Sequence, residues 1–166
     1  MTRPLSPMER TVWKTDFAAP LNFTTVARVS GPLDDGALAA ALPALRARHP
    51  HLRRRIDEAG HLVDDGAPLS LRTGGSDWVR ELEHELNTRL AAPLARFVRA
   101  GDRLLVTLHH AVGDGMSGVY LVRDWLRAAT GQRLEPLEDP GAVDVRAPPA
   151  PGLKNHLRFL GRDAWL

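Results

Sequence analysis

Two adjacent histidines, His109 and His110, end an apolar run and precede Asp114 and Gly115 in the stretch LHHAVGDG. Successive side chains of a strand point to opposite faces, so the two imidazoles cannot share one site unless the strand ends between them. We expect one histidine to be structural and the other to lie at the strand end. An imidazole there can take a proton from a hydroxyl, an amine or a thiol near neutral pH. The stretch therefore predicts an acid/base centre.

Two other interpretations of the same stretch remain open. Asp114 could simply cap the following helix, with both histidines as partly buried strand residues, because Asp-Gly is common before a helix. Two histidines and a carboxylate are also suitable metal ligands. Adjacent strand histidines diverge, however, and no further ligand type falls at a suitable spacing nearby. We therefore expect no metal site.

Periodicity and end signals predict the elements that position the motif. Residues 94–99 and 103–109 form a predicted hairpin whose second strand ends at the histidine pair. Other predicted strands cover residues 22–30, 52–56, 61–63 and 69–72.

Four helices are predicted from caps or apolar stripes. The first covers residues 8–16 with Ser6 as its cap, and the second covers 33–48, capped by Asp34 or Asp35 and kinked or shortened at Pro43. The third is capped by Ser76, and the fourth covers 115–130. The predicted buried stripes are Leu38, Leu42 and Leu45 in the second helix, Trp78, Leu82, Leu86 and Leu90 in the third, and Val119, Val122, Trp125 and Leu126 in the fourth.

Composition narrows the class of protein. The 166 residues are 43% hydrophobic and 25% charged, as in ordinary globular domains, and the net charge is only +2. Arginines are interleaved with acidic residues, so we expect no nucleic-acid partner. No apolar run is long enough to span a bilayer, and the absence of cysteine suits a cytoplasmic protein.

The chain divides into three parts by composition. Residues 1–131 carry all the predicted strands and the four helices. Residues 132–152 are rich in proline and acidic residues, which is typical of a linker. Residues 153–166 are amphipathic again, so we expect another element to begin there.

The motif HHAVGDG resembles the HHxxxDG signature of the chloramphenicol acetyltransferase-like superfamily, which includes condensation domains of nonribosomal peptide synthetases, polyketide-associated acyltransferases and wax ester synthases. Two more segments are similar to that group. PLSPMERTVW resembles the segment that precedes the first strand, and RHPHLRRRI, residues 48–56, resembles the RHxxLRxxF segment. The resemblance covers residues 1 to about 130 and implies an α/β fold, a two-layer sandwich of helices on a mixed β-sheet.

The resemblance also implies a role for each motif residue. His110 would be the base that deprotonates or positions the acceptor nucleophile, and His109 would support it. Asp114 would hold the loop through an arginine, with Arg53 as the candidate partner. Gly115 would allow the close turn and the approach of a pantetheine arm.

The implied function is that of the N-terminal lobe of a condensation or acyltransferase enzyme. It would move an acyl group to an amine or hydroxyl. The acyl donor would be a thioester of phosphopantetheine on a carrier protein or a thioester of coenzyme A. No resident cofactor is expected. Residues 153–166 would lead toward a second lobe if the sequence is a fragment. Otherwise the second lobe would be a separate chain or another copy of this chain. A catalytically silent binding or scaffolding domain is the alternative.

Overall fold

A four-stranded mixed sheet forms the centre of the chain. The structure, a computed structural model, describes residues 2–32, 34–139 and 141. The strands of this sheet are β2 (Asn22–Arg28), β5 (Leu71–Thr73), β6 (Ala95–Ala100) and β7 (Arg103–His109), in the order β2-β7-β6-β5. Neighbours are antiparallel except β5 and β6, which are parallel. The predicted hairpin is thus confirmed as β6–β7.

Helices cover both faces of this sheet because β6 and β7 are apolar on both sides. Alternate residues such as Phe97, Val106 and Leu108 pack with α2 (Asp35–Arg48) and α4 (Gly115–Ala129). The intervening Val98 and Leu105 pack on the opposite side with Trp78 and Leu82 of α3 (Trp78–Asn87). The predicted α/β fold with helices on a mixed sheet is confirmed.

A smaller antiparallel sheet lies beside the first, in the order β1-β4-β3. Its strands are β1 (Arg3–Pro4), β3 (Arg54–Ile56) and β4 (His61–Asp64). A 3₁₀ turn, Pro50–Arg53, connects α2 to β3, and α1 (Pro7–Thr15) follows β1. A second core of Leu5, Leu62 and Leu94 joins this sheet to the rest, with Trp13, Ile56 and Val112 packed against it.

Of the three predicted helix caps, two agree with the structure and one differs. Ser6 forms the expected capping box with Glu9, and Asp34 caps α2 by accepting from the Gly36 N–H at 2.9 Å. The prediction that Ser76 caps α3 was wrong. Asp77 is the cap, because its carboxylate accepts from the N–H of Arg80 three residues further on.

Pro43 does not shorten α2, which continues to Arg48. Pro43 is exposed, while Leu38, Leu42 and Leu45 on the other face are buried as predicted. Packing of these three leucines keeps the helix intact past Pro43. Proline has no N–H to donate to the carbonyl four residues earlier, but on the solvent side of the helix that carbonyl faces water.

Two predicted apolar stripes need correction. Leu86 of α3 is partly exposed, and Leu90, although buried, lies beyond the end of the helix. In α4 the buried positions include Leu121, whereas Val119 is 49% exposed. The stripe of α4 is rotated because the helix packs on β2 at Gly118, where only a small residue fits.

The linker and tail, residues 132–152 and 153–166, fall largely outside the described residues, so this division stays a prediction. Within the described part, residues 132–139 form no helix or strand. No described helix is both long enough and apolar enough to cross a bilayer.

Replacing Gly118 by alanine should destabilise the fold. A Cβ at this position would lie 3.0 Å from Thr25 Cβ and 3.3 Å from Phe23 Cε2, too close for the contact between α4 and β2. We expect Gly118→Ala to lower the free energy of unfolding by about 1–3 kcal/mol in urea denaturation. The matched control is Gly115→Ala, where a Cβ would meet nothing within 4 Å. An equal effect of the two substitutions would contradict this account of the packing.

Candidate active site

The two histidines of the motif lie in different environments. β7 ends at His109, whose side chain is 1% exposed, while the next residue, His110, is exposed. The His110 N–H donates to the Leu21 carbonyl at 3.0 Å, which ties the strand end to the segment before β2. The expected division into one inward and one outward histidine is what the structure shows.

His109 is a neutral, structural imidazole. Its Nδ1 accepts from the N–H of Ala111 at 3.0 Å, so the proton resides on Nε2, which lies 3.6 Å from Asp16 Oδ1. Burial lowers the pKa of His109, and the opposing charge of Asp16 only partly offsets this effect. The residue holds the turn after β7 in place and has no access to solvent for proton transfer.

Asp16 is a site-supporting residue that the sequence did not reveal. Its buried carboxylate accepts from the Leu21 N–H at 2.8 Å and from Arg89 Nε at 2.5 Å. The Arg89 guanidinium also lies 4.1 Å from the centre of the Phe17 ring. Asp16 follows α1 and Arg89 follows α3, and no local pattern relates two positions so far apart.

His110 lines a cavity of about 340 Å³ at the end of β7. Its ring lies 4.7 Å from that of Phe23, tilted by 43°. The other lining residues come from α1 and its cap, the 3₁₀ turn, the motif loop, the first turn of α4 and the segment after α4: Ser6, Met8, Glu9, Val12, His51, Ala111, Val112, Gly113, Asp114, Ser117 and Gly141. An exposed imidazole at the wall of a cavity is in a position to exchange a proton with a bound molecule.

Asp114 caps α4. Its Oδ1 accepts from both the N–H and the Oγ–H of Ser117 at 2.8 Å, and the Ser117 Oγ accepts from the Asp114 N–H in return. The hydrogen bond from the Ser117 backbone, with that from its hydroxyl, holds the pKa of Asp114 below its usual value. The capping part of the alternative interpretation is therefore confirmed. Its other part is wrong, because His109 is fully buried and His110 is exposed rather than both being partly buried.

The proposed ion pair between Arg53 and Asp114 is not formed among the described residues. Arg53 lines a separate cavity beside Arg46 and Asp65, away from the one that holds Asp114. The next residue, Arg54, is the buried one and pairs with Asp64 at 3.0 Å. The arginine run thus presents Arg54 to the interior and leaves Arg53 at the edge, because successive residues entering β3 face opposite sides.

Gly115 begins α4 without the conformation that requires glycine. Its φ is not positive, and a Cβ would meet nothing within 4 Å. The turn itself therefore does not require a glycine here. Whether a pantetheine arm approaches this position stays a prediction.

A larger cavity of about 460 Å³ adjoins the first and shares His51, Val112 and Ser117 with it. It lies between the 3₁₀ turn and α4. Within the described part of the chain, no group of three or more histidine and acidic side chains is arranged to hold a metal ion.

Similar proteins are synthetases and condensation domains, although no family model matches the chain. The hybrid PKS-NRPS synthetase LUC5 of Fusarium sp. is 31% identical over 168 aligned positions, covering 87% of this chain and 4% of that protein. The condensation domain of the Monacolin K polyketide synthase MokA superposes with a TM-score of 0.68 at 21% identity, covering 81% of this chain and 36% of that one. The tallysomycin biosynthesis protein TlmII superposes with a TM-score of 0.68 at 20% identity, covering 98% and 46%.

The chain therefore has the fold of a condensation-domain lobe, the fold that the resemblance implied. It spans less than half the length of the two solved structures and a small fraction of the synthetase.

Acid should destabilise the protein through its buried histidines. Burial lowers the pKa of His109 from the ordinary 6.5, so the unfolded chain binds a proton at a pH where the folded chain does not. This contribution to stability is complete above about pH 7 and is lost as the pH falls through 6.5 toward the folded pKa. His49 and His51 act in the same direction, since burial also lowers the pKa of each.

We expect the free energy of unfolding, measured in urea, to fall between about pH 7 and pH 5. His109→Gln should be less stable at neutral pH and should show a shallower slope over this range. The control is His84→Gln, which removes an imidazole at an exposed position. An unchanged slope in His109→Gln would show that His109 is not buried as a neutral group.

Proposed function

We propose that the chain is the N-terminal lobe of a condensation-type acyltransferase, with His110 as general base. The observation that carries the proposal is the position of His110, exposed at the end of β7 on the wall of a cavity, beside a fully buried partner histidine. The condensation-domain fold and the synthetase relatives support a condensation-type role. The acyl donor would be a carrier-protein or coenzyme A thioester and the acceptor an amine or a hydroxyl.

The reaction would use one proton acceptor and one leaving thiol. An imidazole nitrogen of His110 accepts the proton of the amine or hydroxyl as its nitrogen or oxygen attacks the thioester carbonyl. The new C–N or C–O bond forms, the C–S bond breaks, and the leaving thiolate takes the proton from His110. His110 would otherwise act by orienting the nucleophile through the same hydrogen bond.

The remaining motif residues would act by holding His110 in position. His109 fixes the end of β7 from inside, and Asp114 starts α4. Together they set the loop that carries His110 and leave its imidazole at the cavity wall. Neither side chain contacts the cavity contents as a base: His109 is buried, and the Asp114 carboxylate is already hydrogen-bonded to Ser117.

A second lobe would complete the site. The chain spans 36% and 46% of the two solved structures, so most of each lies outside the matched part. Met116, Val119 and Tyr120 form an exposed apolar strip along α4, at positions that share one helix face. An apolar strip beside a candidate site fits a surface that a partner covers. That partner would be a separate chain or a second copy of this one.

The alternative is a silent scaffold, and one observation favours it. The geometry of Asp114 and His109 is fully explained by a helix cap and a buried strand end. The motif could therefore be kept for its turn alone, with His110 as an ordinary surface residue.

His110→Ala separates the two functions. If His110 is the base, the variant should lose about 10²- to 10⁴-fold in acyl transfer while its melting temperature stays near that of the parent. The assay follows thiol release from octanoyl-pantetheine and octanoyl-CoA in the presence of a primary amine, using the chain in its native assembly. His84→Ala on the exposed side of α3 is the control. Transfer that survives His110→Ala, or that is absent from the native assembly, favours the scaffold.

The isolated monomer should be inactive. The candidate site is formed on one lobe, and the strip on α4 beside it is uncovered. Light scattering on a sizing column, followed by the intact mass of each polypeptide, identifies the assembly, and both the assembly and the monomer are then assayed. Acyl transfer by the purified 18.2 kDa monomer would contradict the need for a partner.

A further inference from the structure

The imidazole of His110 packs against the ring of Phe23 in β2. The two ring centroids lie 4.7 Å apart, and the ring planes are tilted by 43°. Aromatic rings at this separation attract each other when they are tilted or offset. A catalytic imidazole is commonly oriented by a hydrogen bond to its second nitrogen, as in the serine protease triad. Among the described residues the His110 side chain makes no such hydrogen bond, so the Phe23 ring is the contact that can orient it.

The register of β2 and β7 places Phe23 beside His110. Phe23 lies opposite Leu108, and the Leu21 carbonyl accepts from the His110 N–H at 3.0 Å, just past the end of β7. His110 is two residues beyond the partner of Phe23, so its side chain can point to the same face. Diagonal neighbours of this kind are within reach of an aromatic side chain. The ring contact therefore follows from strand pairing and not from the motif itself.

The ring of Phe23 is also packed against α4. A Cβ at Gly118 would lie 3.3 Å from Phe23 Cε2, so the ring lies close to the helix backbone at a position that has no side chain. Gly118 is buried, and Phe23 packs against the core that α2 and α4 form on this face of the sheet. Such close packing leaves a side chain little room to move. Phe23 is therefore a rigid surface next to His110.

We propose that Phe23 is a positioning residue for His110. Its ring occupies one side of the imidazole and limits the rotation of that group at the wall of the cavity at the end of β7. This inference rests on the proposed function, because the orientation of the imidazole matters for transfer only if His110 acts on the acceptor. A base that is loosely held is less often aligned with its nucleophile, and a misplacement of about 1 Å can cost on the order of 10²-fold in rate.

Substitutions of Phe23 test the role in acyl transfer, assayed in the native assembly with octanoyl-CoA and a primary amine. Phe23→Leu keeps an apolar side chain but removes the ring, and we expect it to lower kcat about 10- to 100-fold. The KM for the amine should change by less than about twofold, since Phe23 acts through His110 and not on the substrate. Phe23→Tyr keeps the ring and should retain most of the activity.

The matched control is Phe97→Leu. It removes a ring from the same core, but Phe97 packs on Trp125, at 5.2 Å between ring centroids, and not on His110. Its kcat should stay near that of the parent. If Phe23→Leu does not fold, Phe23→Met takes its place. An unchanged kcat in the Phe23 variant, or an equal loss in Phe97→Leu, would overturn the positioning role.

Nuclear magnetic resonance detects the contact without turnover. In the 166-residue chain labelled with ¹³C in its histidine rings, His110→Ala assigns the His110 ring resonances by their disappearance. We expect these resonances to move in Phe23→Leu, because the ring current of Phe23 is lost, and to stay in place in Phe97→Leu. Resonances that are identical in the parent and in Phe23→Leu would show that the two rings are not in contact.

The proposed function can fail separately from this inference. Transfer that is lost in His110→Ala but unchanged in Phe23→Leu contradicts the positioning role alone. Transfer that survives His110→Ala, or that is absent from the native assembly, contradicts the general base, and the positioning role then fails with it. Loss of transfer in both variants, with moved His110 resonances in Phe23→Leu and an active Phe97→Leu, supports both.

Discussion

The buried carboxylate of Asp16 is the interaction on which the geometry of the motif depends. It accepts hydrogen bonds from Leu21 and Arg89 and faces Nε2 of His109. The end of α1, the entry to β2, the segment after α3 and the end of β7 therefore meet at one charged group. A carboxylate removed from water must be paired, so each of these segments is held in a single arrangement. His110 is positioned as a consequence.

Buried carboxylates that pair with arginine side chains are also found in α3 and α4. Glu85 of α3 accepts from Arg96 of β6 at 2.6 Å and from Arg72 of β5 at 2.9 Å. Burial alone would raise the pKa of Glu85, but these arginine contacts outweigh burial and hold it below the ordinary value. Asp124 joins α4 to the end of α2 in the same way. Arg72 and Arg96 thus attach α3 to the sheet, and Arg48 links α2 to α4.

Some residues of the motif stabilise the fold, and another lies at the surface. His109 faces inward as a neutral imidazole, Asp114 ends the loop as a helix cap, and both contribute to structure. Of the two histidines, only His110 lines the cavity at the end of β7. This division follows from strand alternation, which places one histidine of any adjacent pair inside and the other outside. It also explains why the motif could persist in a protein without catalysis.

Much of the fold could be predicted because its signals are local. The β6–β7 hairpin, the helix starts at Ser6 and Asp34, and the division of the histidine pair all follow from neighbouring residues. The cap of α3 lies one residue later than predicted, at Asp77, and the buried stripe of α4 is shifted where that helix packs on β2. The sequence by itself determined the elements and the motif. Only the tertiary structure decided that Asp16 meets Arg89, that Arg54 is the buried arginine, and that His51 and His110 line one cavity, because these depend on residues brought together by folding across long separations in the chain.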